Sequence, residues 1–121
     1  MKIYLANGME LNPIMVTGGK QSVQGAYRDI LNFVFPEGTS MDELDNAFTA
    51  ANCESVAIVG DDGEYIHKAY TVRACLKREL VEVEPETPES EAVYENRVFV
   101  AMGQRTYSES LIASLKAQLE A

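Results

Sequence analysis

The sequence is poor in histidine and cysteine, two side chains common in metal sites. It has one histidine, His67, and two cysteines, Cys53 and Cys75, with no C-x-x-C spacing. A structural zinc site takes four ligands, so these three residues do not complete one. Two cysteines in a chain long enough to build a core indicate free thiols in a reducing cytoplasm. We therefore expect no metal and no cofactor.

Basic residues are also scarce. Ten Lys and Arg stand against nineteen Asp and Glu, which gives a net charge of −9. Binding to a nucleic-acid backbone needs clustered basic residues, so we expect no nucleic-acid partner. The sequence also lacks both an apolar run of the roughly 20 residues that span a bilayer and a signal-peptide pattern. We expect no membrane association and a cytoplasmic location.

Motifs that would specify a reaction are missing as well. Gly18-Gly19-Lys20 resembles part of a phosphate-binding loop, but the required first glycine is Ile14 and the required Ser or Thr is Gln21. The acidic stretch 61–64 lacks calcium-loop spacing and is interpreted as a hairpin turn. His67 has no Ser or Cys nucleophile at motif spacing, so we interpret it as a solvent-facing strand residue. No catalytic residue and no small-molecule substrate is predicted.

What the sequence does contain is the alternation of apolar and polar residues that is typical of β-strands. The turn residues Asn7-Gly8 predict a hairpin between the first two segments, and Gly18–Gln21 predicts another turn. The predicted strands are Lys2–Ala6, Met9–Leu11, Ile14–Thr17, Val23–Phe35, Val56–Val59 and Val93–Met102.

The longest β pattern is Tyr65–Val83. A straight strand of that length would run about 60 Å, whereas a compact domain of this size is only about 35 Å across. The strand must therefore bend or project. Beyond Leu80 the apolar positions change parity, which indicates a bulge or a change of buried face. The acidic segment Glu84–Ala92 is predicted to be a mobile loop at the tip of a long hairpin.

Two helices are predicted. Ser40 and Glu43 form a capping-box pattern at the start of a helix over Ser40–Asn52. A second helix, capped by Ser108, runs over 108–121 with an apolar stripe of Leu111, Ile112, Leu115 and Leu119. Packing of this stripe on the sheet is the favoured interpretation, and bundling with other copies is compatible with it.

These elements predict one α+β domain over 1–121, made mainly of antiparallel sheet. Its β-rich body spans 1–106 and contains the inserted helix at about 40–52, and the C-terminal helix follows at 108–121.

Three segments carry a family resemblance: VTGGKQSVQGAYRDILNFVF, SMDELDNAFTAANCESVAIVGDDGEYIHKAYTVRACLKREL and VFVAMGQRTYSES. Together they resemble small proteins of bacterial prophages that belong to tail and baseplate modules. The resemblance implies an antiparallel sandwich or split barrel like that of tail-tube subunits, without enzymatic activity, and association with the virion. It implies copies of itself and other tail proteins as partners. The C-terminal helix departs from a minimal tube subunit, so tube, hub and assembly roles stay open.

We therefore expect a structural or assembly protein that acts through self-association. One candidate interface is the polar strand face of Tyr65, His67, Thr71 and Arg73, and the other is the stripe of Leu111, Leu115 and Leu119. A monomeric acidic adaptor or inhibitor that binds a basic host partner is the alternative. A small enzyme that uses Tyr65, His67 and Arg73 in a pocket is the third hypothesis.

Overall fold

The computed structural model describes residues 1–120, and side-chain surroundings are described for residues 1–119. Eight strands, two α-helices and one short 3-10 helix follow one another along the chain. In order they are β1 (Lys2–Tyr4), β2 (Glu10–Leu11), β3 (Met15–Val23), β4 (Ala26–Phe35), α1 (Met41–Ala47), the 3-10 turn Asn52–Glu54, β5 (Ser55–Gly60), β6 (Gly63–Lys68), β7 (Val72–Glu84), β8 (Val93–Gly103) and α2 (Tyr107–Glu120).

The strands form two four-stranded sheets. The first sheet has the order β2-β1-β5-β6 and the second has the order β3-β4-β8-β7, and the paired strands are antiparallel. The predicted α+β class, with mainly antiparallel sheet, one inserted helix and one terminal helix, is confirmed.

The core lies between the two sheets and α1. The alternating residues Leu31, Phe33 and Phe35 of β4 turn one face inward, as the period-two pattern predicts. Phe48, which follows α1, packs against this row, with its ring centroid 5.0 Å from that of Phe33. Ile3 and Val56 supply the first sheet's contribution, and both are fully buried. This core holds the two sheets face to face and fixes where their edges lie.

The first hairpin of the second sheet differs from the prediction. Gly18–Gln21 is not a turn but the middle of β3, and the turn lies at Gln24-Gly25, where both residues have positive φ (47° and 83°). Two successive positive-φ residues are what a tight two-residue hairpin needs. Pairing of Met15 with Val34 and of Val23 with Ala26 sets this register. The pairing extends far beyond the glycines, so their local turn preference does not decide the structure.

The predicted single strand over Tyr65–Val83 is wrong. β6 belongs to the first sheet and β7 to the second, and the chain passes between them at Ala69, whose φ is 64°. The Ala69 amide donates to Glu54 O (2.9 Å) and its carbonyl accepts from Arg105 N (2.7 Å). Tyr70 then enters the core. A single left-handed residue in the connection leaves the alternation of the sequence unbroken, so periodicity could not reveal the change of sheet.

The predicted long hairpin is confirmed. β7 and β8 stay paired as far as Glu84 and Val93, with a register shift between Glu82 and Glu84. The register is unbroken at Leu80 and Val81, so the parity change there is a change of buried face and not a bulge: Leu80 is exposed, whereas Val81 and Val83 are half-buried. From Lys77 to Leu80 the β7 residues are exposed, although Val98, which pairs with Arg78, still belongs to the core. We call the segment Leu80–Val93 the hairpin tip.

The inserted helix is shorter than predicted, although its cap is confirmed. The Glu43 amide donates to Ser40 Oγ (3.3 Å), and α1 ends at Ala47 instead of near Asn52. The Asn52 side-chain amide donates to the Ala47 carbonyl (2.9 Å). This side chain thus satisfies one of the carbonyls that a helix end leaves without a partner, and it allows the chain to turn early.

Candidate interface: an anchored helix and an open groove

The C-terminal helix begins with a reciprocal cap. Glu109 N donates to Thr106 Oγ1 (3.2 Å), and Thr106 N donates to Glu109 Oε1 (2.9 Å). This is the capping box T-x-x-E, which satisfies two amides at the helix start. The predicted Ser108 cap is therefore wrong, because the Thr106 hydroxyl and the Glu109 carboxylate already occupy these positions.

A buried arginine fixes the first turn of α2. Arg28, on β4, is 3% exposed, and its Nη2 donates to Glu109 Oε2 at 2.8 Å while its Nη1 donates to Oε1. Its remaining donors reach the carbonyls of Val23 (2.8 Å), Gln24 (3.3 Å) and Gln104 (3.2 Å). Planar bidentate pairing of this kind sets orientation as well as energy. The Arg28 guanidinium and the Thr106 amide lower the pKa of the Glu109 carboxyl to about 2.

A second arginine ties the same turn to the first sheet's side of the molecule. Arg105 Nε donates to Ser110 Oγ (2.8 Å), and its other nitrogens bind both carboxylate oxygens of Glu54 (2.7 and 3.2 Å). The first turn of α2 is thus linked to β4 through Arg28 and to the 3-10 turn through Arg105. Its direction is fixed from two sides.

Beyond this first turn the helix has an uncovered apolar face. The stripe residues are exposed at 49% (Leu111), 53% (Ile112), 50% (Leu115) and 87% (Leu119). The interpretation that the stripe packs on the sheet is therefore wrong. The core beneath β4 and β8 is already filled by α1 and the first sheet. We call these four residues the α2 stripe.

The two sheets leave an open groove where their edge strands face each other. Strand β3 is an edge of the second sheet and β6 is an edge of the first. Between them lie two adjoining hollows of about 250 and 340 Å³ that share Gly18, Leu31 and His67. The first is also lined by Met1, Val16, Thr17, Ile58 and Tyr65, and the second by Gly19, Lys20, Asp29, Ile30 and Tyr70. We call this feature the edge groove.

Glycine keeps the groove wide. Gly18 pairs with Leu31, so a side chain at position 18 would point to the same face as Leu31 and into the groove. A Cβ at that position would meet only Ile30 O, at 4.0 Å. The groove is therefore open at Gly18, and its floor is lined by apolar side chains.

The predicted polar face is divided by the structure. Tyr65 and His67 lie on β6, Thr71 lies in the connection, and Arg73 lies on β7 in the other sheet. Tyr65 pairs with Ile58 and His67 with Val56, so both point toward the groove side of the first sheet. The interpretation of His67 as a solvent-facing residue is therefore wrong, because the partly buried ring lines the groove. The His67 ring meets Tyr70 edge-on, with centroids 5.8 Å apart. The opposite face of β6 carries Ile66, which is 58% exposed.

Arg73 has a structural role within the chain. Its Nη2 donates to the carbonyl of Phe48 (2.7 Å), and its Nη1 binds Asp45 Oδ1 (3.0 Å). Both partners lie at the end of α1, where a cation is favoured by the helix dipole. Arg73 therefore holds α1 on the second sheet and is not grouped with Tyr65 and His67.

Two further observations bear on the class of site. Within residues 1–119, no three His, Cys, Asp or Glu side chains are grouped so that they could hold a metal ion. None of the helices within residues 1–120 combines the length and the apolar character needed to cross a bilayer.

No protein-family model, curated protein or solved structure matches this chain. The function therefore has to be inferred from the geometry and the chemistry of the residues themselves.

The sequence predicted the α2 stripe, but it predicted neither the Arg28–Glu109 pair that anchors α2 nor the edge groove. Arg28 and Glu109 are 81 positions apart, and no local pattern connects them. The spacing of Thr106 and Glu109 was the one available signal, because T-x-x-E is a capping pattern. The groove depends on which strands become edges, and this is decided by sheet order.

Proposed function

We propose that the protein is a non-enzymatic structural or assembly component that acts through self-association. The observation that carries the proposal is the contrast within α2. Its first turn is held by the buried Arg28, while its four large apolar residues remain 49–87% exposed. Burial of each Leu or Ile side chain contributes about 1.5–3 kcal/mol. A helix held in a fixed direction with this face uncovered is suited to contact a partner.

The β architecture supports the same proposal. The edge strands β2, β3, β6 and β7 have unpaired backbone groups along one side. Such edges can pair with strands of another subunit. Together with the resemblance to prophage tail and baseplate proteins, this favours a tail component that contacts copies of itself and other tail proteins, and that joins the virion. The candidate contacts are the α2 stripe and the exposed Tyr65.

We assign no reaction to the protein. His67 faces the apolar groove and packs on Tyr70, and Arg73 is bound to Asp45 and the Phe48 carbonyl. The three residues of the enzyme hypothesis, Tyr65, His67 and Arg73, therefore lie on two different sheets. This separation favours a contact role for Tyr65 and His67.

The test is the mass in solution, measured by light scattering over a range of protein concentrations. The proposal expects a mass that rises above 13.4 kDa with concentration. Leu111→Gln combined with Leu115→Gln is expected to restore the monomer. The control is Ala113→Gln with Ala117→Gln, at exposed positions on the opposite side of the helix. A mass that stays at one chain throughout would refute the proposal.

One observation favours a second candidate, the acidic adaptor. Seven of the ten Lys and Arg residues form ion pairs within the chain. Five glutamates of the hairpin tip, by contrast, form none with residues 1–119: Glu82, Glu84, Glu86, Glu89 and Glu91. Such a tip would attract a basic partner surface in a salt-dependent way.

This second candidate is tested with a lysine-rich peptide as the probe. Changing the five tip glutamates to Gln is expected to abolish binding. The control changes five carboxylates elsewhere, at Glu37, Asp42, Glu43, Asp61 and Asp62. Equal loss in both variants would mean that only net charge matters, and the adaptor role would be rejected.

A further inference from the structure

The α2 stripe and the edge groove are two uncovered apolar surfaces of the same chain. The stripe is a ridge and the groove is a trough, so they are complementary in form. Each protein copy therefore presents both halves of one possible contact. Whether they meet depends on their dimensions, charges and accessibility.

Their dimensions agree. Between Leu111 and Leu119 the helix rises about 12 Å, at 1.5 Å per residue. Between Val16 and Lys20 the wall of the groove formed by β3 extends about 14 Å, at 3.4 Å per residue. Gly18 lies at the middle of this wall and leaves room for an inserted side chain. A ridge of four apolar residues can therefore lie along the groove without overhang.

Their charges are complementary as well. Lys116 lies beside the stripe and makes no ion pair with a side chain of residues 1–119. The start of β6 carries Asp61, Asp62 and Glu64, which are likewise without an ion pair in that range. Asp62 Oδ2 is 3.4 Å from the Tyr65 hydroxyl, and Tyr65 lines the groove. A cation beside the ridge thus meets carboxylates at the rim of the trough.

The helix does not occupy the groove of its own chain. Arg28 and Arg105 fix its first turn, and all residues from Leu111 to Leu119 are exposed in this arrangement. Arg28 on β4 pairs with Gln21 on β3, which is three residues after Gly18. Because successive side chains of a strand alternate between faces, the Arg28 side chain points to the face of the second sheet opposite the groove. The ridge and the trough of one molecule therefore face different directions.

We infer that the α2 stripe of one copy docks in the edge groove of a second copy. This inference rests on the proposed self-association and specifies its geometry. The contact is heterologous, since a different surface is used on each side, and each copy has one of each. Repetition of such a contact gives a ring if the rotation closes and an open chain if it does not.

The test uses two variants, each defective on one side only. Leu115→Glu places a charge in the stripe, and Ala117→Glu is its control at an exposed position on the opposite side of the helix. Gly18→Leu fills the groove, and Gln21→Leu is its control. Position 21 is on the same strand but lines neither hollow, and its side chain points to the opposite face. Each defective variant alone is expected to stay at the mass of one chain, and each control is expected to assemble like the parent.

The decisive measurement is the mass of an equimolar mixture of the two defective variants. Only one intact contact exists in that mixture, between the stripe of the Gly18→Leu chain and the groove of the Leu115→Glu chain. The expected result is a 1:1 complex at twice the mass of one chain, with nothing larger. Pairing of α2 with α2 would instead leave the Gly18→Leu variant assembling alone, and this would overturn the inference.

The outcomes separate this inference from the proposed function. If the parent chain stays monomeric at every concentration, self-association itself fails. If the parent assembles but the mixture stays at one chain mass, only the docking geometry is wrong. Circular dichroism and thermal melting verify that each variant is folded. If Gly18→Leu does not fold, Tyr65→Ala replaces it, because Tyr65 is 53% exposed and lines the same groove.

Discussion

The Arg28 guanidinium binds both carboxylate oxygens of Glu109, and this pair joins β4 to the first turn of α2. The two side chains differ in environment, because Arg28 is almost fully buried whereas the Glu109 side chain is 39% exposed. The ion pair therefore lies at the protein surface, with the arginine buried and the glutamate partly exposed to solvent. It sets the direction in which the α2 stripe leaves the body.

Removal of the buried arginine should destabilise the protein markedly. Arg28→Ala deletes the ion pair and leaves three backbone carbonyls without their donor, so we expect a loss of about 3 kcal/mol in the free energy of unfolding. Chemical denaturation measures this loss. The control is Lys20→Ala, whose exposed pair with Asp29 should contribute less than about 1 kcal/mol. Similar losses in both variants would contradict the buried anchor.

Acid should release the anchor over a defined pH window. The folded-state pKa of Glu109 is about 2, below the ordinary value of 4.5, because Arg28 and the Thr106 amide favour the ionised form. The stability from this carboxylate is therefore complete above pH 4.5 and is lost as the pH falls toward 2. Measured against pH, the difference in unfolding free energy between the parent and Glu109→Gln should shrink across that window. A difference that does not change with pH would show that ionisation is unimportant.

The two cysteines should differ in reactivity. Cys53 is fully buried, and burial raises the pKa of its thiol to about 11, so little thiolate forms. Cys75 is only half-buried. A thiol-specific chromogenic reagent should modify Cys75 in the native protein and both residues after denaturation. Cys75→Ser should abolish the native reaction, and rapid modification of that variant would mean that Cys53 is accessible.

Glycine at position 69, where the chain passes from the first sheet to the second, should make the protein more stable than the native alanine does. A non-glycine residue at φ 64° is strained, so Ala69→Gly should raise the free energy of unfolding by about 0.5–1 kcal/mol. The matched control is Ala57→Gly in β5, where glycine should cost about 1 kcal/mol. Thermal melting of both variants gives the comparison. Destabilisation at both positions would show that the Ala69 conformation is not strained.

Local patterns in the sequence predicted several elements correctly. The Ser40 cap of α1 and the hairpin between β7 and β8 were predictable, because each depends on residues that are close in sequence. The α2 stripe was predictable for the same reason, since helical spacing alone places Leu111, Leu115 and Leu119 on one face.

Where local preference competed with long-range pairing, prediction failed. Gly18-Gly19 has the composition of a turn, but its backbone pairs with β4 along the whole of β3. Tyr65–Val83 has the alternation of one strand, but Ala69 transfers the chain to the other sheet. In both cases many interstrand hydrogen bonds outweigh the preference of one or two residues.

The sequence by itself determined the class of the fold, the inward face of β4 and the apolar stripe of α2, because alternation and helical spacing are local properties of the chain. Only the tertiary structure decided which strands became edges, where the edge groove opened and whether the stripe was covered. Those features depend on contacts between residues far apart in sequence, such as Arg28 with Glu109 and Arg105 with Glu54. Such contacts are set by sheet order and core packing, which no local pattern encodes.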